Sequence, residues 1–97
     1  MSFGFVAYHY PKAEYVEEFV GRCHRVREVL TRQPGFLRVE VWVTPEGDAV
    51  VTTGEFESPQ AFQGAFAAVA HECAEAVVFD EREVKPRQVH TLLSRQQ

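Results

Sequence analysis

Long apolar runs, an excess of basic residues and paired-cysteine motifs are all missing from this 97-residue chain. No stretch approaches the ~20 apolar residues that cross a bilayer, so we expect no membrane span. The net charge of −4 argues against a general role in binding nucleic acid or anionic membranes. The amino-terminal residues show no basic region followed by a long apolar run, so we expect no secretion signal either.

Metal and nucleotide motifs are also missing. Cys23 and Cys73 form no CxxC pair, and the chain has no HxxxH motif, glycine-rich phosphate loop or carboxylate-rich loop. We therefore expect neither a metal site nor a nucleotide cofactor. Unpaired thiols of this kind are typical of a reduced, cytoplasmic protein, and we expect both to be small buried hydrophobes.

Four alternating apolar segments predict β-strands. They lie at residues 2–10, 36–44, 49–57 and 84–94. Pro86 interrupts the last segment, so we expect an edge position or a bulge there. Apolar residues three and four apart predict two helices, from Ala13 to Arg32 and from Pro59 to about residue 77. Ser58 is a suitable cap for the second helix.

The order β-α-β-β-α-β predicts a single domain, residues 1–97, with the α+β ferredoxin-like fold. Right-handed crossovers place both helices on one face of a four-stranded antiparallel sheet and leave the other face bare. One set of residues on the second strand is expected to pack under the helices: Leu37, Val39, Val41 and Val43. Arg38, Glu40 and Trp42 alternate with that set and should point to the bare face.

A pocket between the sheet and the helices would be lined by the apolar stripes of these elements. We expect its lining to include Phe5, Phe19, Cys23, Phe62, Phe66 and Val69. On the first strand, Phe5, Ala7 and His9 share one face, and Val6 and Tyr8 share the other. The sequence leaves open which of the two faces lines the pocket, and these aromatics could instead fill the core.

Three side chains are candidates for catalysis: His71, His9 and Tyr8. A neutral His71 imidazole beside the apolar stripe of the second helix could ligate iron or accept a proton from a phenolic substrate. It could equally be a histidine at the core margin with a backbone hydrogen bond. The Tyr8 hydroxyl could orient a phenol or quinone oxygen.

Several short motifs together resemble the antibiotic biosynthesis monooxygenase family of the dimeric α+β barrel superfamily. They are Gln33-Pro34-Gly35-Phe36, Glu55-Phe56-Glu57-Ser58 and Ala61-Phe62, within a resemblance over residues 3–93. The resemblance implies a homodimer whose sheets pack face to face, with Arg38, Glu40 and Trp42 against the partner. It also implies oxidation of electron-rich aromatics such as anthrones, or of haem, by O₂ without a flavin or a dedicated metal.

Two departures from the family pattern concern the activity. The chain has no Asn, which the quinone-forming and haem-degrading members use, and Phe66 lies near where those members carry a Trp. The leading hypothesis is a cofactor-independent, monooxygenase-like protein acting on a small aromatic or polyketide-like substrate. The alternatives are a non-catalytic dimer that binds a small hydrophobic ligand or another partner, and a haem-binding or haem-degrading protein with His71 as axial ligand.

Overall fold

The computed structural model describes residues 2–95 and contains one antiparallel sheet with two α-helices. Its strands are β1 (Phe3–His9), β2 (Phe36–Val43), β3 (Val50–Phe56) and β4 (Gln88–Leu93). They are arranged in the order β2-β3-β1-β4, with β1 and β3 in the centre. The α+β ferredoxin-like fold expected from the sequence is confirmed, although Met1, Gln96 and Gln97 of the proposed domain lie outside the described residues.

The helices are α1 (Val16–Thr31) and α2 (Pro59–Glu72). A 3₁₀ turn, Ala13–Tyr15, precedes α1, and another, Ala74–Val77, follows α2. Ser58 caps α2 as expected, because its Oγ accepts a hydrogen bond of 3.1 Å from the amide of Ala61. Among residues 2–95, no helix is long and apolar enough to cross a membrane.

Gly35 joins α1 to β2 with a backbone angle φ of +80°. A side chain there would be strained, and its Cβ would lie only 2.5 Å from the Cβ of Ala61. The Gly35 carbonyl accepts a hydrogen bond from the amide of Glu57 at 2.8 Å. The Pro-Gly break in the sequence is therefore the point where β2 and the start of α2 come together.

The segment between α2 and β4 differs from the sequence expectation. The second helix ends at Glu72, because Cys73 leaves the helical region with φ −145° and ψ 52°. The last strand begins at Gln88 and not at Val84. Residues before Pro86 instead meet the end of β1, where the amide of Val84 donates to the carbonyl of Tyr10 at 2.7 Å.

The core lies between the sheet and the helices. Its most deeply buried large side chains are Phe56, Leu30, Val39, Val50 and Val69. Full burial of such a side chain stabilises the fold by about 1.5–3 kcal/mol. Both cysteines are buried free thiols.

Strand β2 corrects part of the sequence prediction. Val39 is buried and Val41 is half-buried, but Leu37 is 46% and Val43 is 42% exposed. The register shifts between Phe36 and Arg38, so Leu37 is the extra residue of a bulge and loses its place under the helices. Val43 lies at the end of this edge strand.

Candidate functional site

A cavity of about 350 Å³ lies between the sheet and the helices, and we call it the sheet–helix cavity. Rings from β1 and α2 form its aromatic wall. Phe5 lies 5.2 Å from Phe66 and 5.6 Å from Phe62 between ring centroids, and the two α2 rings are 4.9 Å apart. Such a wall favours a flat apolar or aromatic ligand.

Gly54 makes room for this wall. It pairs with Phe5 across β1 and β3, and a Cβ added at Gly54 would lie 2.4 Å from Cε1 of the Phe5 ring. A side chain at this position would therefore displace the ring, since real Cβ contacts do not become that short. The absence of a side chain on β3 thus sets the position of a cavity-lining ring on β1.

One part of the cavity is polar. His9 and Arg87 line it, and Glu83, whose side chain is fully buried, lies between them. Nη2 of Arg87 donates to Oε2 of Glu83 at 2.7 Å, and Oε1 of Glu83 lies 3.9 Å from Nδ1 of His9. Arg87 also donates to the carbonyls of Val77 and Val78, at 2.8 and 3.1 Å.

A second arginine, Arg22 on α1, also lines the cavity and is buried. Its Nη2 donates to Glu18 at 3.0 Å, and its guanidinium lies 4.6 Å from the centroid of the Phe19 ring. Two guanidinium groups therefore border a cavity that is otherwise largely apolar. They would favour a ligand that carries or develops negative charge.

Burial, followed in size by the positive charges of Arg87 and Arg22, lowers the pKa of His9 to about 4. His9 is therefore neutral at pH 7, and one of its two ring nitrogens carries no proton. Burial raises the pKa of the Cys23 thiol, against a smaller opposing effect from its hydrogen bond with Thr52, so Cys23 is a poor nucleophile.

The sequence pattern does not indicate that the segment carrying Glu83 and Arg87 belongs to the site. It is irregular, and it is attached to the chain around the end of β1 by hydrogen bonds from Lys12 to Arg82 and from Val84 to Tyr10. Arg82 also forms a salt bridge with Asp80 and holds the pKa of that carboxyl well below its usual range. The available signal was weak: an acidic and a basic residue four apart around Pro86.

Most of the expected lining residues meet in the sheet–helix cavity. They are Phe5, Phe19, Cys23, Phe62 and Phe66. Val69 does not line it; with 1% exposure it packs in the core between the sheet and the helices. On β1, the face that lines the cavity is that of Phe5, Ala7 and His9.

Tyr8 and His71 lie away from the cavity. Tyr8 follows the strand alternation to the opposite sheet face, where its ring stacks on Tyr10 at 6.4 Å. His71 is exposed in the last turn of α2, because it is two residues from the buried Val69 and so points about 200° away from it. His9 is the one of the three catalytic candidates that the structure brings into the cavity.

Haem does not fit the residues that were expected to hold it. His71, the expected axial ligand, is exposed and does not line the cavity. Among residues 2–95, no three His, Cys, Asp or Glu side chains form a group that could hold a metal ion.

The bare face carries Arg38, Glu40 and Trp42, as the alternation predicted. Arg38 forms a salt bridge of 3.3 Å with Glu55, and Nε1 of Trp42 donates to Thr53 at 3.2 Å. Trp42 is nevertheless 56% exposed. A second hollow of about 350 Å³, the bare-face concavity, lies beside these residues.

Solved structures with the same fold come from several organisms. A conserved protein from Methanosarcina mazei Go1 superposes with a TM-score of 0.82 at 15% identity, covering 98% of this chain and 94% of that one. SnoaB, a cofactor-independent oxygenase from Streptomyces nogalater, gives 0.77 at 20% identity, with coverage of 99% and 95%. The monooxygenase ActVA-Orf6 of Streptomyces coelicolor, in complex with nanaomycin D, gives 0.72 at 20% identity, with coverage of 99% and 89%.

These identities are too low to show more than a shared fold. No curated protein matches the chain significantly. The family match is more informative, because the pattern described as "antibiotic biosynthesis monooxygenase" matches residues 2–77, which include β1 to β3 and both α-helices. The chain therefore belongs to the antibiotic biosynthesis monooxygenase family.

Proposed function

We propose that this protein is a cofactor-independent oxygenase that oxidises a small, weakly acidic aromatic compound in the sheet–helix cavity. The observation that carries the proposal is a neutral histidine, His9, that lines an aromatic cavity together with two arginines. SnoaB is described as a cofactor-independent oxygenase, and the ActVA-Orf6 structure contains the bound ligand nanaomycin D. Both relatives support this class of reaction and ligand.

His9 takes the proton that makes the substrate reactive. Removing a proton from an anthrone-like CH₂ group gives an electron-rich anion, which the positive Arg22 and Arg87 stabilise. The Phe rings hold the flat substrate and exclude water. O₂ then oxidises the anion: both hydrogens leave the CH₂ group, one oxygen atom becomes the new carbonyl, and the other leaves as water. The substrate supplies all the electrons, so no external reductant is needed.

This proposal assigns the proton acceptor to His9, a strand residue, in a chain that has no Asn. Tyr8 and His71 take no part in it, because neither lines the cavity. The assignment uses only groups that the described residues place at the cavity, and it makes the role of His9 directly testable.

The test is O₂ uptake with a panel of anthrones and dihydroxynaphthalenes. We expect turnover by the wild-type protein and a decrease in kcat of about 10²–10⁴-fold in His9→Gln, the usual contribution of a general base. His24→Gln, which changes an exposed histidine on α1, is the matched control and should retain the rate. No turnover above a heat-killed sample, or full activity in His9→Gln, would contradict the proposal.

A binding protein without chemistry is the second candidate, and it is favoured by the missing Asn. The same panel separates the two functions. Ligands that raise the melting temperature of the wild-type protein without any O₂ uptake would support binding alone. Loss of that stabilisation in Phe66→Ala would place the bound ligand in the sheet–helix cavity, since Phe66 is part of its wall.

We also propose that a second copy of the chain covers the bare face. Trp42 and Leu92 are 56% and 50% exposed on this face, and Leu92 lines the bare-face concavity. Arg38 and Glu40 are of opposite charge and two residues apart, which gives a self-complementary surface for a two-fold contact. A homodimer formed in this way would bury the exposed indole and leave the sheet–helix cavity of each copy accessible.

A further inference from the structure

Three buried polar atoms have no hydrogen-bond partner among residues 2–95, and all three belong to the polar part of the sheet–helix cavity. They are Nδ1 of His9, Oε1 of Glu83 and Nε of Arg87. Buried polar atoms are nearly always paired, because an unpaired one loses its hydration without compensation. Their concentration in one cluster indicates a functional arrangement of these side chains.

Glu83 is fixed in place from two sides. Its backbone forms a bridge with Pro11, just after β1, and the next amide, Val84, donates to Tyr10 at 2.7 Å. Arg87 then occupies Oε2 of the carboxylate through a hydrogen bond of 2.7 Å. Oε1 is consequently the oxygen left free, and it is the one that lies 3.9 Å from Nδ1 of His9.

A proton on Nδ1 would satisfy both unpaired atoms. The gap of 3.9 Å has to close by about 1 Å to reach normal hydrogen-bond length, which a small side-chain rotation can supply. A carboxylate accepts hydrogen bonds and cannot donate them, so Glu83 selects the tautomer that carries its proton on Nδ1. The other nitrogen, Nε2, then remains without a proton.

We propose that Glu83 is a positioning residue that holds His9 in the Nδ1–H tautomer and leaves Nε2 as the proton acceptor. The catalytic meaning of this pair rests on the proposed function, whereas the pair itself does not. Arg87 forms a salt bridge with Glu83, and Arg22 faces His9 from α1 as the remaining charged group lining the cavity.

The first test is spectroscopic and requires no substrate and no measurement of activity. Long-range ¹⁵N–¹H correlation at pH 7 reports which nitrogen of each histidine carries the proton, and His9→Gln assigns the His9 signals. We expect the Nδ1–H tautomer for His9 in the wild-type protein. An Nε2–H tautomer would overturn the proposal, even if the protein oxidises anthrones.

The second test is Glu83→Gln, with Glu81→Gln as the control. Glu81 is exposed and lies two residues away, so its replacement makes the same charge change outside the cavity. In Glu83→Gln the amide oxygen is taken by Arg87, which leaves the NH₂ group facing Nδ1. We expect His9 to switch to Nε2–H, which places its proton on the nitrogen that should accept one.

In activity, Glu83→Gln should lower kcat at least about 10-fold with little change in KM, since Glu83 does not itself line the cavity. Glu81→Gln should alter neither the tautomer nor kcat. An unchanged tautomer in folded Glu83→Gln would overturn the proposal, and if that variant does not fold, the wild-type tautomer decides. Nδ1–H together with no turnover in the wild-type protein would refute the proposed oxygenase and leave the positioning role standing.

Discussion

The two faces of the sheet carry hollows of the same size, and the hollow on the bare face is the more polar of the two. Each holds about 350 Å³, but the sheet–helix cavity is walled by Phe rings, whereas the bare-face concavity is bordered by Arg38, Glu40 and Thr53. Residues from β1 reach both hollows because successive side chains alternate between the faces. The comparison shows that volume alone does not identify a functional site; the groups that surround it do.

Charged groups also differ between the faces. Glu83 and Arg87 form a pair with a fully buried carboxylate on the cavity side, and its loss would leave an uncompensated buried charge. Arg38 and Glu55 form a partly exposed pair on the bare face, which contributes about 0–1 kcal/mol at most in water. The first pair is placed to position the proposed proton acceptor, His9, whereas the second lies on the surface that the proposed homodimer would cover.

The largest expected effect is the difference in stability between alanine substitutions at two neighbouring residues of β1. Phe5→Ala should lower the free energy of unfolding by about 3–5 kcal/mol, because this side chain is 3% exposed in the core. Val6→Ala, on the other face of the same strand, should cost about 1 kcal/mol or less when the bare face is open to solvent. Urea denaturation of both variants measures the contrast.

The outcome for Val6→Ala also reports on assembly. If its cost approaches that of Phe5→Ala at high protein concentration and falls on dilution, the bare face is covered by a second copy. If Phe5→Ala and Val6→Ala lower the free energy of unfolding equally at every protein concentration, the two sheet faces do not differ as a core face and an open face.

The next effect concerns pH. The pKa of His9 is about 4 in the folded protein and near 6.5 when unfolded, so lowering the pH through this range protonates the unfolded chain first. Neutral His9 therefore contributes stability that is fully present above pH 6.5 and is lost as the pH falls to 4, up to about 3 kcal/mol.

Thermal unfolding between pH 7 and pH 4 checks this expectation. His9→Gln should flatten the pH dependence, and His90→Gln, which removes a histidine from the bare face, serves as the reference. If the melting temperature of His9→Gln depends on pH as strongly as that of the wild-type protein, His9 is not buried as a neutral group. The proposed oxygenase activity should also fall as the pH drops towards 4, because protonated His9 cannot accept a proton.

A smaller effect than either of these tests the bare face directly. Trp42→Glu should weaken the proposed homodimer by about 2 kcal/mol, roughly 30-fold in Kd, because a charge replaces a central aromatic. Sedimentation velocity over a dilution series measures Kd, and Arg25→Glu on the outer surface of α1 is the control. A stable wild-type monomer at micromolar concentration would remove the dimer proposal.

The sequence predicted the fold because its signals are local and repeated. Strand alternation, helical spacing, the Ser58 cap and the Pro34-Gly35 break each determine one element, and together they allow one topology. The bulge that displaces Leu37 was missed, since alternation assumes that every residue of a strand has a partner.

The site was harder to predict, because it depends on contacts between distant segments. His71 was placed near the apolar stripe of α2, but a difference of two residues turns it away from the buried face. Glu83 lies in a segment with no periodic pattern, and its contact with His9 depends on backbone pairing across more than seventy residues of chain. No local rule indicates such a pair.

Gly54 has a consequence for substrate range. The Phe5 ring occupies the space that a side chain at this position would fill, so the depth of the aromatic wall is fixed from the strand behind it. A methyl group added there would push the ring into the space a ligand would occupy, with His9, Glu83 and both arginines untouched. The residue that sets the space for a ligand, Gly54, is therefore separate from the residues proposed to transfer the proton, and each can be changed without altering the other.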